Sequence, residues 1–197
     1  MPNAAGAPSP PAVPPWPPGR RTILFVGRAG EPRKGFRHLL GAYRLLEERC
    51  PGEYRLVVAG PGGRQRPAGG DVRWMGRVGD RELQALYAGC DLLCAPSTGG
   101  ESFGLVLLEA FAHGKPAVCS DIEGYAELAG DHGAALLFPP GDEGALAGTI
   151  ARLCGDARLR ADMGRRAKSM ADRFSWDRVG GRIVDLYRAA LDGGARR

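Results

Sequence analysis

Short apolar runs alternate with stretches of helical periodicity along most of the chain. The apolar runs are rich in β-branched and aromatic residues, and most of them end in glycine or proline, which is typical of buried strands. They are TILFVG (22–27), YRLVVAG (54–60), VRWMG (72–76), DLLCAP (91–96), PAVCS (116–120) and GAALLFPP (133–140). Strands that alternate with helices predict a parallel sheet covered by helices on both faces. The sequence therefore predicts a Rossmann-like α/β fold, in which ligands bind beyond the carboxyl ends of the strands.

The intervening stretches have the spacing of amphipathic helices. FRHLLGAYRLLEER (36–49) carries its large apolar residues on one helical face: Phe36, Leu39, Leu40, Tyr43 and Leu46. DRELQALYAGC (80–90) is predicted to be a helix with Asp80 as its N-cap. YAELAG (125–130) is predicted to form a short helix, and further helices follow from Asp142 onwards.

The first 20 residues differ from the rest in composition. MPNAAGAPSPPAVPPWPPGR is so rich in proline that it cannot hold a helix or a central strand. We interpret residues 1–20 as a disordered linker, residues 21–191 as one Rossmann-like domain and residues 192–197 as a tail.

Composition and charge exclude several classes of protein. The chain has 197 residues and a net charge of +5, and no apolar run is long enough to cross a bilayer. The basic residues are not interleaved with aromatics, so no nucleic-acid partner is expected. The five cysteines are expected to be buried free thiols in a reducing compartment, because their spacing forms no zinc set. We therefore expect a cytoplasmic protein, with a peripheral position on the inner face of the membrane as the alternative.

The loop after the first strand combines glycines with cations. In GRAGEPRKG (27–35), Gly27 and Gly35 allow close approach of the backbone, and Arg28, Arg33 and Lys34 bring positive charge to the mouth of the sheet. A guanidinium and an ammonium together suit a diphosphate. The alternative is a surface turn with solvated charges.

The loop after the fourth strand carries two glutamates. In APSTGGESFGLVLLEA (95–110), Ser102 is expected to cap a helix whose free amides and dipole favour a phosphate. Glu101 lies at the rim, and Glu109 lies eight positions further, in the middle of a helix expected to be buried. Two carboxylates on one wall suit the vicinal hydroxyls of a sugar or ribose. The alternatives are a carboxylate that interacts with the helix dipole for Glu101 and an ion pair with Lys115 or an arginine for Glu109.

Two phosphate-directed loops and two hydroxyl-directed carboxylates at one sheet edge describe a site for a nucleoside diphosphate that carries a sugar. The segments GRAGEPRKG, GRVGD (76–80) and APSTGGESFGLVLLEAFAHGKPAVCSD (95–121) closely resemble the donor-binding domain of the retaining glycosyltransferases of family 4, which have the GT-B architecture. The segments EPRKG and GGESFG most resemble those of the phosphatidylinositol mannosyltransferases, which use GDP-mannose.

The resemblance implies a role for each matching residue. Arg28 and Lys34 bind and neutralise the diphosphate leaving group, and Glu101 contacts the sugar hydroxyls. Glu109 holds the ribose hydroxyls and Val78 lines the base pocket. The implied donor-binding set also contains the loop residues Gly27, Ser102, Phe103, Gly104 and Leu105.

The same resemblance implies the reaction. A hexose, expected to be mannose, is transferred with retention of configuration from GDP-mannose or another nucleotide sugar to a lipid or glycan acceptor. No cofactor and no metal are expected, because arginine and lysine take the role that a metal has in the other large glycosyltransferase architecture. Where the family has a basic residue near the nucleobase of the donor, this chain has Leu83, so the resemblance does not imply guanine over another nucleobase.

The family has a second, N-terminal domain that holds the acceptor site and a catalytic histidine. None of His38, His113 and His132 lies in that context, and His113 is expected at a helix C-terminus. We therefore expect a donor-binding half that is inactive without a separate acceptor domain. The alternatives are a non-catalytic module that binds nucleotide sugars and a different phosphate-binding Rossmann-like domain.

Overall fold

The computed structural model describes Trp16 and residues 19–62, 70–101, 103–129, 132–174 and 176–194. Six parallel strands form one sheet in the order β3-β2-β1-β4-β5-β6. The strands are β1 (Arg21–Val26), β2 (Tyr54–Ala59), β3 (Asp71–Gly76), β4 (Leu92–Ala95), β5 (Ala117–Ser120) and β6 (Ala135–Phe138). This sheet confirms the predicted Rossmann-like α/β architecture.

Helices follow five of the six strands, whereas the next described element after β2 is β3. The helices are α1 (Phe36–Arg49), α2 (Asp80–Gly89), α3 (Leu105–Ala112), α4 (Glu123–Ala129), α5 (Glu143–Gly155), α6 (Ala157–Arg173) and α7 (Trp176–Gly194). A short 3-10 turn, Pro32–Lys34, precedes α1. No described helix is long and apolar enough to span a bilayer.

Alternation along the strands creates a core on each face of the sheet. In β1, Ile23 and Phe25 join one apolar cluster with α1 and α5, whereas Leu24 joins another with α2 and α3. The predicted face of α1 packs into the first cluster, and its five residues are all buried. Both faces are therefore covered, as near-continuous apolar strands require.

Two predicted caps are wrong. The N-cap of α2 is Gly79 and not Asp80, and no side chain caps that helix. The N-cap of α3 is Gly104, with φ of 69°, and the helix begins only at Leu105. Ser102, the predicted cap, lies outside the described residues. The prediction that helices follow from Asp142 is confirmed, and the side chain of Asp142 caps α5 by accepting from the amide of Ala145.

The cysteines and the chain ends complete the fold. All five cysteines are free, four of them are buried and Cys50 is partly buried, which confirms the predicted free thiols. Trp16 packs against the second cluster, with its ring centre 5.4 Å from the guanidinium carbon of Arg55. The proposed boundaries at residues 1–20 and 192–197 stay predictions, since most of those residues lie outside the described ones or have undescribed side chains.

Candidate functional site

The strand order creates a switch point between β1 and β4. From β1 the chain moves outward through β2 to β3, and it then returns to β4 on the other side of β1. In open α/β sheets, ligands bind outside the carboxyl ends of the strands at such a point. The loops after β1 and β4 are the ones in which the sequence places cations and carboxylates.

The loop after β1 is fixed by close packing at its end. The turn Pro32–Lys34 closes at Gly35, which has φ of 66°. A Cβ at Gly35 would lie 1.8 Å from the carbonyl oxygen of Pro96, in the loop after β4. Only glycine therefore lets the two loops approach this closely, and Lys34 is held next to that contact.

Hydrogen bonds join the same two loops. The amide of Thr98 donates to the carbonyl oxygen of Arg33 at 2.8 Å. The Arg33 guanidinium donates in return to the carbonyl oxygen of Gly100 at 2.9 Å, and it also pairs with Glu31. The two loops that the sequence predicts to bind a phosphate thus form one connected wall.

Glu101 is the centre of this wall. Its Oε1 accepts from Lys34 Nζ at 2.6 Å, from Ser97 Oγ at 2.9 Å and from Arg33 Nη1 at 3.5 Å. The Glu101 side chain is only 12% exposed and that of Lys34 only 22%. Within the described ranges, the hydrogen bonds to this carboxylate all reach Oε1, and none reaches Oε2.

Two buried hydroxyls support Glu101 from below. Ser97 Oγ lies 3.0 Å from the hydroxyl of Tyr125, and both residues are buried. Burial raises the pKa of Tyr125 above its ordinary value of 10.0. Because Ser97 donates to the carboxylate, Tyr125 donates to Ser97. Sequence reasoning missed both; Ser97 could have been found because it follows a strand at the switch point, whereas Tyr125 gave no signal.

Arg28 is the most exposed cation of the first loop. Its side chain is 75% exposed, and its nearest carboxylate oxygen, on Glu31, lies 3.9 Å away. Gly27, just before it, continues the sheet through a hydrogen bond from its amide to the carbonyl oxygen of Ala59. Arg28 thus faces solvent and is weakly engaged, whereas Lys34 is held against Glu101.

The expected burial of Glu109 is wrong. Glu109 is exposed on α3, and its Oε2 accepts a hydrogen bond of 2.6 Å from the hydroxyl of Tyr87. The expected ion-pair alternative with Lys115 is likewise not observed among the described contacts. His113 caps the C-terminus of α3, as predicted, and its ring stacks on Tyr87 with centroids 5.5 Å apart. The helix tolerates this carboxylate because one oxygen faces solvent and the other has a protein donor.

The start of α3 is mostly apolar and accessible. Leu105 is 66% exposed, and Phe103 is 43% exposed with its ring edge against Phe174 at 5.6 Å between centroids. A groove of about 790 Å³ begins at Phe103 and runs between α3, α4, α6 and α7. The groove adjoins the wall without including Lys34 or Glu101.

Val78 lies on a different part of the sheet edge. It follows β3, the edge strand, and is partly buried against the second apolar cluster. The structure therefore brings Arg33, Lys34, Ser97 and Glu101 together and leaves Val78 two strands away from β1. Among the described residues, no group of three or more histidines, cysteines, aspartates or glutamates could hold a metal ion.

Comparison with known families identifies the fold. The sequence profile of the family Glycosyl transferases group 1 matches residues 10–170. The chain is 35% identical to the phosphatidyl-myo-inositol mannosyltransferase of Mycolicibacterium smegmatis over 182 residues, which are 89% of this chain and 47% of that protein. The chain spans about half the length of the curated relatives that it matches.

Solved structures agree with the sequence matches. The chain is similar to sucrose-phosphate synthase from Thermosynechococcus elongatus, with a TM-score of 0.75 and 26% identity over 88% of this chain and 46% of that one. It is also similar to the Anabaena protein HepE in complex with UDP-glucose, with a TM-score of 0.73 and 27% identity over 86% and 49% of the two chains. These matches confirm the predicted fold class, a Rossmann-like half of a GT-B glycosyltransferase. The chain belongs to the family of group 1 glycosyl transferases.

Proposed function

We propose that this chain is the donor-binding half of a retaining glycosyltransferase of family 4, which transfers a hexose from a nucleoside diphosphate sugar. The observation that carries the proposal is the contact between Lys34 and Glu101 across the switch point, where a cation and a carboxylate from two loops share one wall. Recognition of a diphosphate needs the cation, and recognition of sugar hydroxyls needs the carboxylate. The relatives with mannosyltransferase names support mannose as the sugar.

The diphosphate is proposed to bind to Arg28 and Lys34. Arg28 is exposed and weakly paired, so its guanidinium is available for bidentate contact. Lys34 is paired with Glu101, yet an ammonium has three donors and can serve a phosphate oxygen as well. Cleavage of the sugar–phosphate bond builds negative charge on this diphosphate. Lys34, which Glu101 already holds in place, stabilises that charge with little reorganisation, and the exposed Arg28 adds a second positive charge, so the proposal includes no metal.

The sugar and the ribose are proposed to bind to the two glutamates. The free Oε2 of Glu101 accepts from sugar hydroxyls, next to the loop residues Phe103 and Gly104. The free oxygen of Glu109 accepts from the ribose hydroxyls, at a position further along α3 than the site of the sugar. The base is proposed to lie near Val78, at the end of β3. Gly27, Leu105 and the undescribed Ser102 complete the proposed donor-binding set.

The acceptor is proposed to bind outside residues 21–191. This part of the proposal is supported by coverage, since the matched relatives are about twice as long as this chain. A second domain would supply the acceptor, a lipid or a glycan, and attack would come from the face of the leaving group, with retention of configuration. The five free cysteines support a cytoplasmic location, at the inner face of the membrane if the acceptor is a lipid.

Calorimetric titration with GDP and UDP tests the nucleotide site. The wild-type chain is expected to bind at least one of them, and Arg28→Ala combined with Lys34→Ala is expected to weaken binding at least ten-fold, because two charge-assisted contacts are lost. Arg165→Ala combined with Lys168→Ala is the matched control. Those two side chains are exposed on α6, and their replacement removes the same amount of positive charge. Equal affinity of wild type and the Arg28–Lys34 variant would overturn the assignment.

The same coverage also favours a second candidate, a module that binds nucleotide sugars without catalysis. Release of sugar from GDP-mannose or UDP-glucose is measured first for the chain alone and then with an added acceptor domain. No release alone, followed by transfer when an acceptor domain from a matched relative is added, supports the enzyme. Tight donor binding with no transfer in either setting supports the module.

A further inference from the structure

A fully buried tyrosine of α2 holds the exposed Glu109 of α3. Tyr87 has no exposed surface, and its hydroxyl donates to Glu109 Oε2 at 2.6 Å. An exposed glutamate ordinarily samples many rotamers, since solvent serves its oxygens equally well in each. Here the donor is fixed in the core, so the carboxylate is fixed with it.

The tyrosine ring is itself held in place. It stacks on the ring of His113, with centroids 5.5 Å apart and an angle of 22° between the planes. Nδ1 of His113 lies 2.8 Å from the carbonyl oxygen of Glu109. A carbonyl oxygen only accepts, so Nδ1 carries the hydrogen and ties the ring to the end of α3. Tyr87, Glu109 and His113 therefore form one unit between two helices.

The hydrogen bond from Tyr87 distinguishes the two oxygens of the Glu109 carboxylate, because it engages only one of them. Burial raises the pKa of the Tyr87 hydroxyl above its ordinary value of 10.0, and the adjacent Glu109 raises it further. The tyrosine therefore keeps its proton and donates throughout the neutral range. Oε2 is occupied as an acceptor, and Oε1 is left to accept from a ligand.

We propose that Tyr87 is a positioning residue that presents the Glu109 carboxylate to the ribose hydroxyls of the nucleotide, an inference that rests on the proposed function. A vicinal diol makes its best contacts with a carboxylate held in one orientation. The hydroxyl of Tyr87 supplies that orientation without touching the ligand. Tyr87 thus contributes to the discrimination between a ribose and a sugar that lacks these hydroxyls.

A purely structural contact predicts a different result. If the hydrogen bond only joins α2 to α3, its loss lowers the stability of the fold and weakens the binding of all nucleotides alike. Positioning predicts a loss confined to nucleotides with ribose hydroxyls. The ratio of affinities for a ribonucleotide and its 2′,3′-dideoxy analogue therefore separates the two roles.

The experiment measures that ratio by calorimetry, with GDP and UDP and their 2′,3′-dideoxy analogues. Tyr87→Phe keeps the ring and removes only the hydroxyl. It is expected to lower affinity for the ribonucleotide about ten-fold and to leave the dideoxy analogue unchanged. Tyr43→Phe is the matched control, because Tyr43 is also buried and its hydroxyl bonds to Asp71 and Tyr54 at the opposite end of the strands. The control is expected to keep the full ratio.

Glu109→Ala distinguishes failure of this inference from failure of the proposed function. If Glu109→Ala abolishes the ratio and Tyr87→Phe keeps it, the positioning role is overturned and the ribose assignment stands. If Glu109→Ala keeps the ratio, the ribose assignment is overturned and the inference falls with it. If Tyr87→Phe fails to fold, Glu109→Asp replaces it as the test variant. Its shorter side chain withdraws the carboxylate from the Tyr87 hydroxyl, and the substitution is made at an exposed position. A full ratio in that variant overturns the positioning role.

Discussion

The two glutamates of the candidate site differ in the kind of donor that surrounds them. Glu101 lies among two cations and a serine, whereas Glu109 is engaged by one neutral hydroxyl. Removal of charge therefore has different consequences at the two positions. At Glu101 it releases Lys34, and at Glu109 it removes an acceptor and releases no cation.

We expect the variants Glu101→Gln and Glu109→Gln to separate sugar from nucleotide binding. Glu109→Gln should weaken a bare nucleotide and the sugar-bearing donor alike, about ten-fold. Glu101→Gln should weaken only the donor, since the released Lys34 remains available for the diphosphate. Calorimetry with GDP and GDP-mannose, and with UDP and UDP-glucose, measures this, with the exposed Glu48→Gln of α1 as control. A bare nucleotide that is weakened as much as the donor by Glu101→Gln would show that the roles are misassigned.

At the level of elements, the site depends on two loops that are packed as one unit. Gly35 touches the carbonyl of Pro96, and Thr98 donates to Arg33, so the loop after β1 cannot move without the loop after β4. Backbone contacts of this kind do not depend on the rotamers of the side chains in the loops. The geometry is therefore set by glycine and by strand order before any ligand arrives.

Gly35→Ala is expected to destabilise the fold by about 2–4 kcal/mol, through a positive φ and a steric clash. A flexible side chain could relieve such a clash, but the carbonyl of Pro96 is backbone. Gly148→Ala is the matched control, because a Cβ there meets nothing within 4 Å in α5. The control is expected to stabilise by about 0.5–1 kcal/mol through helix propensity. Urea unfolding measures both, and an unchanged midpoint for Gly35→Ala would contradict the packing.

The elements were predictable from sequence because each is coded locally. β-branched runs specify strands, the spacing of Phe36 to Leu46 specifies α1, and chain order with parallel pairing brings the loops after β1 and β4 to one edge. The two tyrosine hydroxyls of the site were not predictable. Tyr87 and Tyr125 belong to other helices, and only tertiary packing decides which hydroxyl reaches Glu109 or Ser97.

Caps and burial failed for a related reason. Asp80 and Ser102 are good caps by residue type, yet the chain enters α2 and α3 through Gly79 and Gly104. The apolar neighbours of Glu109 suggested a buried position, but its own place on the helix faces solvent. Propensity describes single residues, whereas the angle at which a chain enters a helix is set by what packs around it.

At the scale of the whole molecule, α7 carries an apolar face that the described domain does not cover. Ile183 and Val184 are 44% and 46% exposed, and Tyr187 and Leu191 are 71% and 74% exposed. Apolar residues at helical spacing along residues 176–191 also predict such a face from the sequence. An uncovered face of this kind marks a contact with another domain or another copy.

We expect the uncovered face to contribute nothing to the stability of the domain itself. Tyr187→Ser combined with Leu191→Ser should leave the free energy of unfolding within about 0.5 kcal/mol of wild type, because surface substitutions have small effects. The buried Leu153→Ala of α5 is the comparison and should destabilise by about 2–5 kcal/mol. In a proven monomer, amides of residues 183–191 should exchange rapidly with solvent. Strong protection there would show that the domain covers this helix unaided.

The union of the two site loops also bears on how such a domain can be re-engineered. Because Gly35 rests on Pro96 and Thr98 donates to Arg33, the two loops behave as a single cassette. Transplanting one of them from a relative with another donor would replace half of a matched interface and leave the other half without its complement. A change of donor preference therefore calls for exchange of both segments, 27–35 and 96–104, in one step.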